Sequence, residues 1–265
     1  MEASHTRYRF TLVVDDFGVR YTQKEDALHL LATLEGRYIA KADWDGNRYC
    51  GLTLEWDYDA RTCNISLPGY IDRARQRFAH CAPAKPEDSP HTWQKPNYGA
   101  RVQYASHDED AVLVNAADTK RIQEVLGGLL FYARAVDSTR LAAIGTIGAC
   151  QASATKTTME EITHLLNYCA AHPDAVIQYH SSDMVLHNDS DAAHLVAPKA
   201  RSRVAGYHYL SSQPTKPGLP SPDDPPPPIN GAIDVLCNIM REVLSSASEA
   251  ELAGVFRNAK AACPI

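Results

Sequence analysis

The chain has 265 residues, of which 45% are hydrophobic and 22% are charged. This composition is typical of a globular protein and excludes collagen-like, mucin-like and wholly disordered chains. The formal net charge of −6 does not attract nucleic acid, so any binding of a polyanion must come from local clusters of basic side chains. The seven cysteines form no Cys-x-x-Cys pair, which argues against a zinc cage and a disulfide framework. The N-terminus lacks signal-peptide character and no apolar run is long enough to span a bilayer, so the sequence predicts a cytoplasmic or nuclear protein that is neither secreted nor membrane-bound.

Near its N-terminus the chain carries a predicted β-hairpin with two carboxylates at the tip. Apolar, β-prone stretches from Phe10 to Val14 and from Phe17 to Tyr21 flank Asp15 and Asp16. A carboxylate pair anchored by two strands could hold divalent metal ions through oxygen ligands. The alternative is a solvated turn, because Asp is common in turns.

The remaining periodic segments predict a mixture of helices and strands. Up to residue 80 they indicate a helix over 24–34, strands over 49–58 and 63–67, and a helix over 70–78. Further on they indicate helices from Asp118, over 138–150 and over 157–171, then strands over 175–179, 184–187, 204–210 and 233–240, and a last helix over 245–262. The predicted N-caps are Asp118 and a Thr157–Glu160 capping box. The last helix is expected to bury Leu252, Val255 and Phe256. The predicted fold class is α+β.

Two proline-rich stretches interrupt these elements. The first is a predicted linker over 81–117, and the second is a stiff loop over 213–228 that cannot pair in a sheet. The first stretch therefore separates residues 1–80 from residues 118–265.

Several segments, in order, resemble the pol polyprotein of copia-type LTR retrotransposons. The reverse transcriptase palm of retroelements is similar to FTLVVDDFGVRY and to DWDGNRYCGLTLEWDYDARTCNISLPGYIDRA. The thumb and connection helices are similar to the stretch from VLGGLLFYARAVDSTRLAAIGTI through LLNYCAAHPDAVIQY, and the start of the RNase H domain is similar to SDAAHLVAPKARSRVAGYHYL and SSASEAELAGVF. The resemblance implies the C-terminal part of a palm and the start of a thumb in 1–80, a helical thumb and connection in 118–182, and the N-terminal half of an RNase H-like α/β domain in 183–265.

The resemblance also implies catalytic and metal-binding roles for four carboxylates. Asp15 and Asp16 match the polymerase aspartates, which bind Mg²⁺ or Mn²⁺. Asp191 matches the first RNase H carboxylate and Glu251 matches the carboxylate of the following helix, with Glu249 as the second choice. If a strand–strand–strand–helix order makes Asp191 and Glu251 face each other across a sheet edge, the pair would suit a two-metal phosphodiester hydrolase. Without the resemblance, such carboxylates read as helix caps or solvated side chains.

Basic residues form two short clusters that could contact phosphates. They are Arg73, Arg75 and Arg77, and Lys199, Arg201 and Arg203. Solvated surface is again the alternative. The partners that the resemblance implies are an RNA or DNA template–primer, an RNA–DNA hybrid and the remaining parts of the pol polyprotein.

The chain also departs from the family pattern. Val13 stands where the family has Tyr or Phe before x-Asp-Asp, and the expected palm strand with a further metal-binding Asp and the later RNase H aspartates have no match here. The sequence therefore predicts a fragment of an RNA-directed DNA polymerase with RNase H that is inactive alone, and a C-terminal sheet whose first strand, Met184 to Ala192, is an unpaired edge. A non-catalytic nucleic-acid-binding module and a relic of a transposable element without selected function remain as alternatives.

Overall fold

The computed structural model describes residues 8–92, 111–212 and 226–265. The strands are β1 (Tyr8–Val13), β2 (Asp16–Tyr21), β3 (Arg48–Tyr49), β4 (Leu52–Asp57), β5 (Thr62–Ser66), β6 (Val176–His180), β7 (Val185–Ala197), β8 (Arg201–Ser211) and β9 (Ala232–Ile239). The helices are α1 (Lys24–Glu35), α2 (Tyr70–Arg77), α3 (Ala116–Ala135), α4 (Leu141–Cys150), α5 (Lys156–Ala171) and α6 (Ala247–Ala262). The mixture of helices and sheets confirms the predicted α+β class. No helix in these ranges is both long and apolar enough to cross a membrane.

A four-stranded antiparallel sheet and helices α2 to α5 enclose the main core. The sheet order is β3-β4-β5-β6, and Ile65 of β5 lies opposite Ile177 of β6. Leu52 and Ile65 pack against the buried side chains of the helices, among them Ile71, Ile122, Leu129, Ile162 and Leu165. The segments that the resemblance assigns to the palm and to the thumb therefore share one sheet and one core.

A fully buried arginine lies at the edge of this core. Arg140 donates from Nε to the Asp137 carboxylate at 2.6 Å, from one terminal nitrogen to Cys169 Sγ at 2.9 Å, and from the other to the carbonyl of His172. Its guanidinium carbon also lies 4.7 Å from the centre of the Tyr132 ring. Because its guanidinium group donates hydrogen bonds to groups before α4 and on α5, Arg140 links these two helices.

The second sheet, β7-β8-β9, is antiparallel and carries helices on both faces. Val204, Met240, Leu244 and Ala250 form a small core between the sheet and α6. On the other face Cys237 packs against the main core, and Arg203 reaches Thr146 of α4. In the described part of the chain, β7 is an edge strand with β8 as its one neighbour, as the sequence predicted.

A buried polar network joins α6 to this sheet. Asn258 of α6 is 1% exposed and donates to Ser190 Oγ and to the carbonyl of Ala205, both at 2.9 Å. Its carboxamide oxygen lies 3.2 Å from Nε2 of His208, which is fully buried. A Cβ atom on Gly206 would lie 1.7 Å from that oxygen, so the network depends on glycine at this position.

Helix starts differ from the predicted ones by three residues or fewer. α3 begins at Ala116 because the side chain of Asn115, not Asp118, caps it by accepting from the Asp118 amide at 2.9 Å. α5 begins at Lys156 because the capping box is formed by Thr155 and Thr158, not by Thr157 and Glu160. The predicted helix over 138–150 is a 3₁₀ turn over Ser138–Arg140 followed by α4.

Two predictions about the C-terminal part are wrong. The strand predicted over 184–187 is only the beginning of β7, which runs for 13 residues and continues through the polar residues Asn188 to Asp191. The apolar face of α6 points outward, with Leu252 71% and Phe256 68% exposed. α6 instead buries Ala250, Gly254 and Asn258, because small side chains let the helix approach the sheet closely.

The two proline-rich stretches are described only in part, since 93–110 and 213–225 lie outside the described residues. The described beginning of the predicted linker packs on α5. His164 Nε2 lies 2.9 Å from the carbonyl oxygen of Ser89, and His172 Nε2 lies 3.1 Å from that of Glu87. This part of the linker is therefore attached to the helical core.

Candidate metal site and nucleic-acid interface

The tip of the β1–β2 hairpin presents Asp15 and Asp16 to solvent. Val13 pairs with Asp16, so Val14 and Asp15 form a two-residue turn. Val14 has a φ of 57° and is 91% exposed. For a β-branched residue this left-handed backbone is an outlier that costs about 1–3 kcal/mol. The turn at the hairpin tip therefore carries backbone strain at Val14, and the exposed valine side chain gains no burial that would offset it.

The hairpin is fixed against its neighbours at some distance from the tip. Thr11 of β1 and Tyr49 of β3 share a hydrogen bond of 3.0 Å between their hydroxyl groups. Gly18 of β2 lies beneath this bond, and a Cβ atom there would be 2.8 Å from the Thr11 hydroxyl. The rings of Phe10 and Phe17 are 5.8 Å apart across the two strands. These contacts hold the two carboxylates on a defined support.

The tip of the hairpin offers two carboxylates as metal ligands. Mg²⁺ is commonly bound by one or two carboxylates while it keeps waters and takes oxygen ligands from a phosphate group. Asp15 and Asp16 supply that number. Among the described residues, no three His, Cys, Asp or Glu side chains come together to hold a metal. Asp15 and Asp16 alone therefore do not form a complete protein cage for a metal within the described part of the chain.

Asp191 lies in the middle of β7 and pairs with Ala205. Its neighbours face α6: Ser190 Oγ accepts from Asn258, and the Cβ of Ala192 lies against Gly254. Because side chains alternate along a strand, Asp191 points to the opposite face. There it lines a cavity of about 340 Å³ together with Ser138 and Ala142.

Glu251 is exposed on α6, the helix that covers the other face of the sheet. The structure therefore does not bring Asp191 and Glu251 together, and the expectation that they face each other is not met. The register of β7 and β8 is continuous from Val185 to Ala193, which fixes the face on which Asp191 lies. Glu249 caps α6 instead, since it accepts from the Ser245 hydroxyl at 2.6 Å and the Ser245 amide at 2.7 Å, and these bonds lower its pKa.

The three arginines of α2 do not form one patch. Side chains two positions apart on a helix point to different sides. Arg73 is exposed near the carbonyl of Pro68, whereas Arg77 is exposed with its guanidinium 5.7 Å from the Phe78 ring. Arg75 is half-buried and bonds Asp72 at 3.2 Å. Of the three, Arg73 and Arg77 are free to meet a phosphate on the outer surface.

The second basic cluster is also divided. Lys199 is exposed in the turn between β7 and β8, where its φ is 62°. Arg201 begins β8 and is half-buried. Arg203 is directed toward α4, where it donates to the Thr146 hydroxyl at 2.8 Å and lies 3.6 Å from Cys237 Sγ. Arg203 is thus engaged within the protein, and Lys199 is the cluster's exposed charge.

Sequence reasoning missed two features that bear on function. One is the strained backbone of Val14, for which a valine in a two-residue turn was the available signal. The other is the charge of Arg121 on α3, which contributes to the lowered pKa of His80 and for which the sequence carries no local signal because the two residues are far apart in the chain. Comparisons with protein-family models, with curated proteins and with solved structures found no match for this chain.

Proposed function

We propose that the chain is part of a copia-type retrotransposon reverse transcriptase/ribonuclease H, and that Asp15 and Asp16 are metal ligands of its polymerase site. The single observation that carries this proposal is the strained hairpin tip. Strain of this kind persists where the surrounding structure imposes it, and it clusters at ligand sites. The order β7-β8-β9-α6, antiparallel strands followed by a helix packed across them, further supports the resemblance. A bound Mg²⁺ would neutralise phosphate charge at the tip.

The metal site can be tested with Mn²⁺, whose unpaired electrons broaden the NMR signals of nearby nuclei. We expect Mn²⁺, added with a deoxynucleoside triphosphate, to broaden the amide signals of residues 13–18 of the 265-residue chain. The Asp15→Asn/Asp16→Asn variant should lose this effect. Asp59→Asn is the matched control, because Asp59 is also an exposed carboxylate in a hairpin turn. Broadening that persists in the double variant, or that centres elsewhere, would contradict the proposal.

A second candidate function is nucleic-acid binding without catalysis. The observation that favours it is that the described residues offer no third carboxylate at the tip and that Asp191 and Glu251 lie on opposite faces of their sheet. Two-metal catalysis needs carboxylates from more than one strand. We therefore expect no primer extension by this chain with Mg²⁺ or Mn²⁺. Template-dependent incorporation that disappears in Asp15→Asn would show that the chain is catalytic.

Binding itself should be weak and sensitive to salt. Exposed Arg73, Arg77 and Lys199 can each neutralise a phosphate, and release of counterions drives such binding. Because these side chains do not form one patch, the logarithm of the affinity for an RNA–DNA hybrid should fall with the logarithm of salt concentration with a slope of about −1 for each of them that contacts a phosphate. Fluorescence anisotropy between low and physiological salt measures this slope. A slope near zero, or no binding at low salt, would contradict nucleic-acid binding as the function of this chain.

A further inference from the structure

Helix α6 carries an apolar stripe on the side that faces away from the second sheet. The stripe consists of Leu252, Val255 and Phe256, whose spacing places their side chains on one face of the helix. These side chains are 71%, 55% and 68% exposed, whereas Ala250 and Gly254 on the opposite face are buried. A contiguous group of large apolar side chains in solvent marks a surface that binds another molecule.

Two opposite charges lie along one edge of this stripe. Glu249 is in the first turn of α6 and Lys260 is in the last turn, and both are exposed. They are eleven positions apart, which is about three helical turns, so they lie on the same edge at a separation of about 16 Å along the helix axis. Neither forms an ion pair with any residue in the described part of the chain. The edge is therefore negative at its beginning and positive at its end.

This arrangement of charges and apolar side chains is complementary to itself. When a second copy of α6 packs antiparallel on the first across a two-fold axis, the same edges of the two helices lie side by side. If the axis passes midway between Glu249 and Lys260, each Glu249 lies beside Lys260 of the other copy. The same axis passes next to Val255, so Val255 meets its own counterpart and Leu252 lies level with Phe256 of the second copy. One axis thus matches both the charges and the apolar stripe.

We propose that the apolar stripe of α6 binds a second copy of this chain in an antiparallel helix pair, which forms a two-fold symmetric dimer. An edge that carries both signs does not match a partner of one sign, whereas it matches a second copy of itself. One helix from each copy makes an interface smaller than the about 1,200–2,000 Å² of a stable complex, so we expect a dimer that dissociates on dilution. The inference uses no residue of the hairpin tip and does not rest on the proposed function.

The test is sedimentation equilibrium of the 265-residue chain over a range of protein concentrations. We expect the mean mass to rise with concentration toward twice that of one chain. Phe256→Ser should weaken association by about tenfold or more, because it removes two large apolar side chains from each dimer. Tyr38→Ser is the matched control, since Tyr38 is an aromatic residue that is 70% exposed and lies outside α6. Both variants replace exposed side chains, so their circular dichroism spectra should match that of the wild type.

Charge reversal tests the antiparallel register of the two helices. Lys260→Glu should weaken association by about tenfold, because the two-fold axis turns two pairs of opposite charges into two pairs of like charges. The double variant Glu249→Lys/Lys260→Glu should restore association. Because Glu249 also caps α6, added sodium chloride gives a second measurement: it screens exposed charges, so it should reduce the difference between the wild type and Lys260→Glu.

Several results would overturn the proposal. One is a mean mass that stays at that of one chain at every concentration. Another is association that Phe256→Ser leaves unchanged or that Tyr38→Ser weakens equally. A third is weakening by Lys260→Glu that neither the double variant nor sodium chloride reduces, because the partner of Lys260 would then not be Glu249 of a second copy.

Discussion

Substitution of Gly206 by Ala should disrupt the polar network beneath α6. The new Cβ would lie 1.7 Å from the side-chain oxygen of Asn258 and 2.6 Å from its Cγ, both closer than atoms can approach. Asn258 is buried and held by three hydrogen bonds to the sheet and to its own helix, so it cannot move aside freely. Overpacking costs about 1–3 kcal/mol, and unsatisfied buried polar groups cost about 1–3 kcal/mol more. We expect the free energy of unfolding to fall by about 2–6 kcal/mol.

Urea unfolding followed by circular dichroism measures this change, and two further variants make the reasoning refutable. Gly127→Ala is the matched control: nothing lies within 4 Å of the place that a Cβ atom would take at this position of α3, so we expect stabilisation by about 0.5–1 kcal/mol. In an Asn258→Ala background the clash is absent, so Gly206→Ala should add less than about 1 kcal/mol. A Gly206→Ala variant as stable as the wild type, or one whose full cost persists without Asn258, would refute the argument.

Three further predictions concern the core and the edge of the second sheet. Arg140→Met should lower the free energy of unfolding by about 3–5 kcal/mol, because it leaves the Asp137 carboxylate buried without its partner. The double variant Arg140→Met/Asp137→Leu should recover most of this loss in the same urea assay. Burial raises the pKa of Cys169 to about 11 from an ordinary value of 9.0, so at pH 8 iodoacetamide should alkylate exposed Cys263 much faster, as peptide mass spectrometry would show. The thiol of Cys169 ionises at a lower pH in the unfolded chain than in the folded one, so its contribution to the free energy of unfolding should be fully present below pH 9 and be lost between pH 9 and about pH 11. The Cys169→Ala variant should lack this dependence on pH, and an unchanged slope of the free energy of unfolding against pH would contradict the assignment. Backbone amides of β7 should exchange hydrogen faster than those of β8, because β7 has one neighbouring strand in the described sheet, and equal protection would mean that another part of the chain covers the edge.

Local patterns were enough to predict most elements of this fold. The β1–β2 hairpin, α1 and the pairing of β4 with β5 depend on residues close in sequence, and the structure confirms them. The length of β7 could not be predicted in this way. An edge strand keeps one side in solvent, so its polar residues resemble a loop until the pairing with β8 is known.

Features that depend on distant residues were not predictable from a single helix or strand. The amphipathic pattern of α6 favoured burial of Leu252 and Phe256, but the side chain of Asn258 occupies the space at Gly206 of β8 and turns the opposite face of the helix toward the sheet. The face on which Asp191 lies follows from a register, and one residue of slip would reverse it. The influence of Arg121 on His80 depends on the packing of α2 against α3.

The pairing of β5 with β6 has a consequence for folding during synthesis on the ribosome. Gln178 pairs with Asn64, which was synthesised 114 residues earlier. At about 5–20 residues per second, β5 waits about 6–23 seconds for its partner strand. During that time its unpaired edge and the apolar side chains of α2 are open to other chains. We expect early folding to depend on protection of this region by a chaperone, so that slower translation between residues 67 and 176 would increase the yield of aggregated nascent chains.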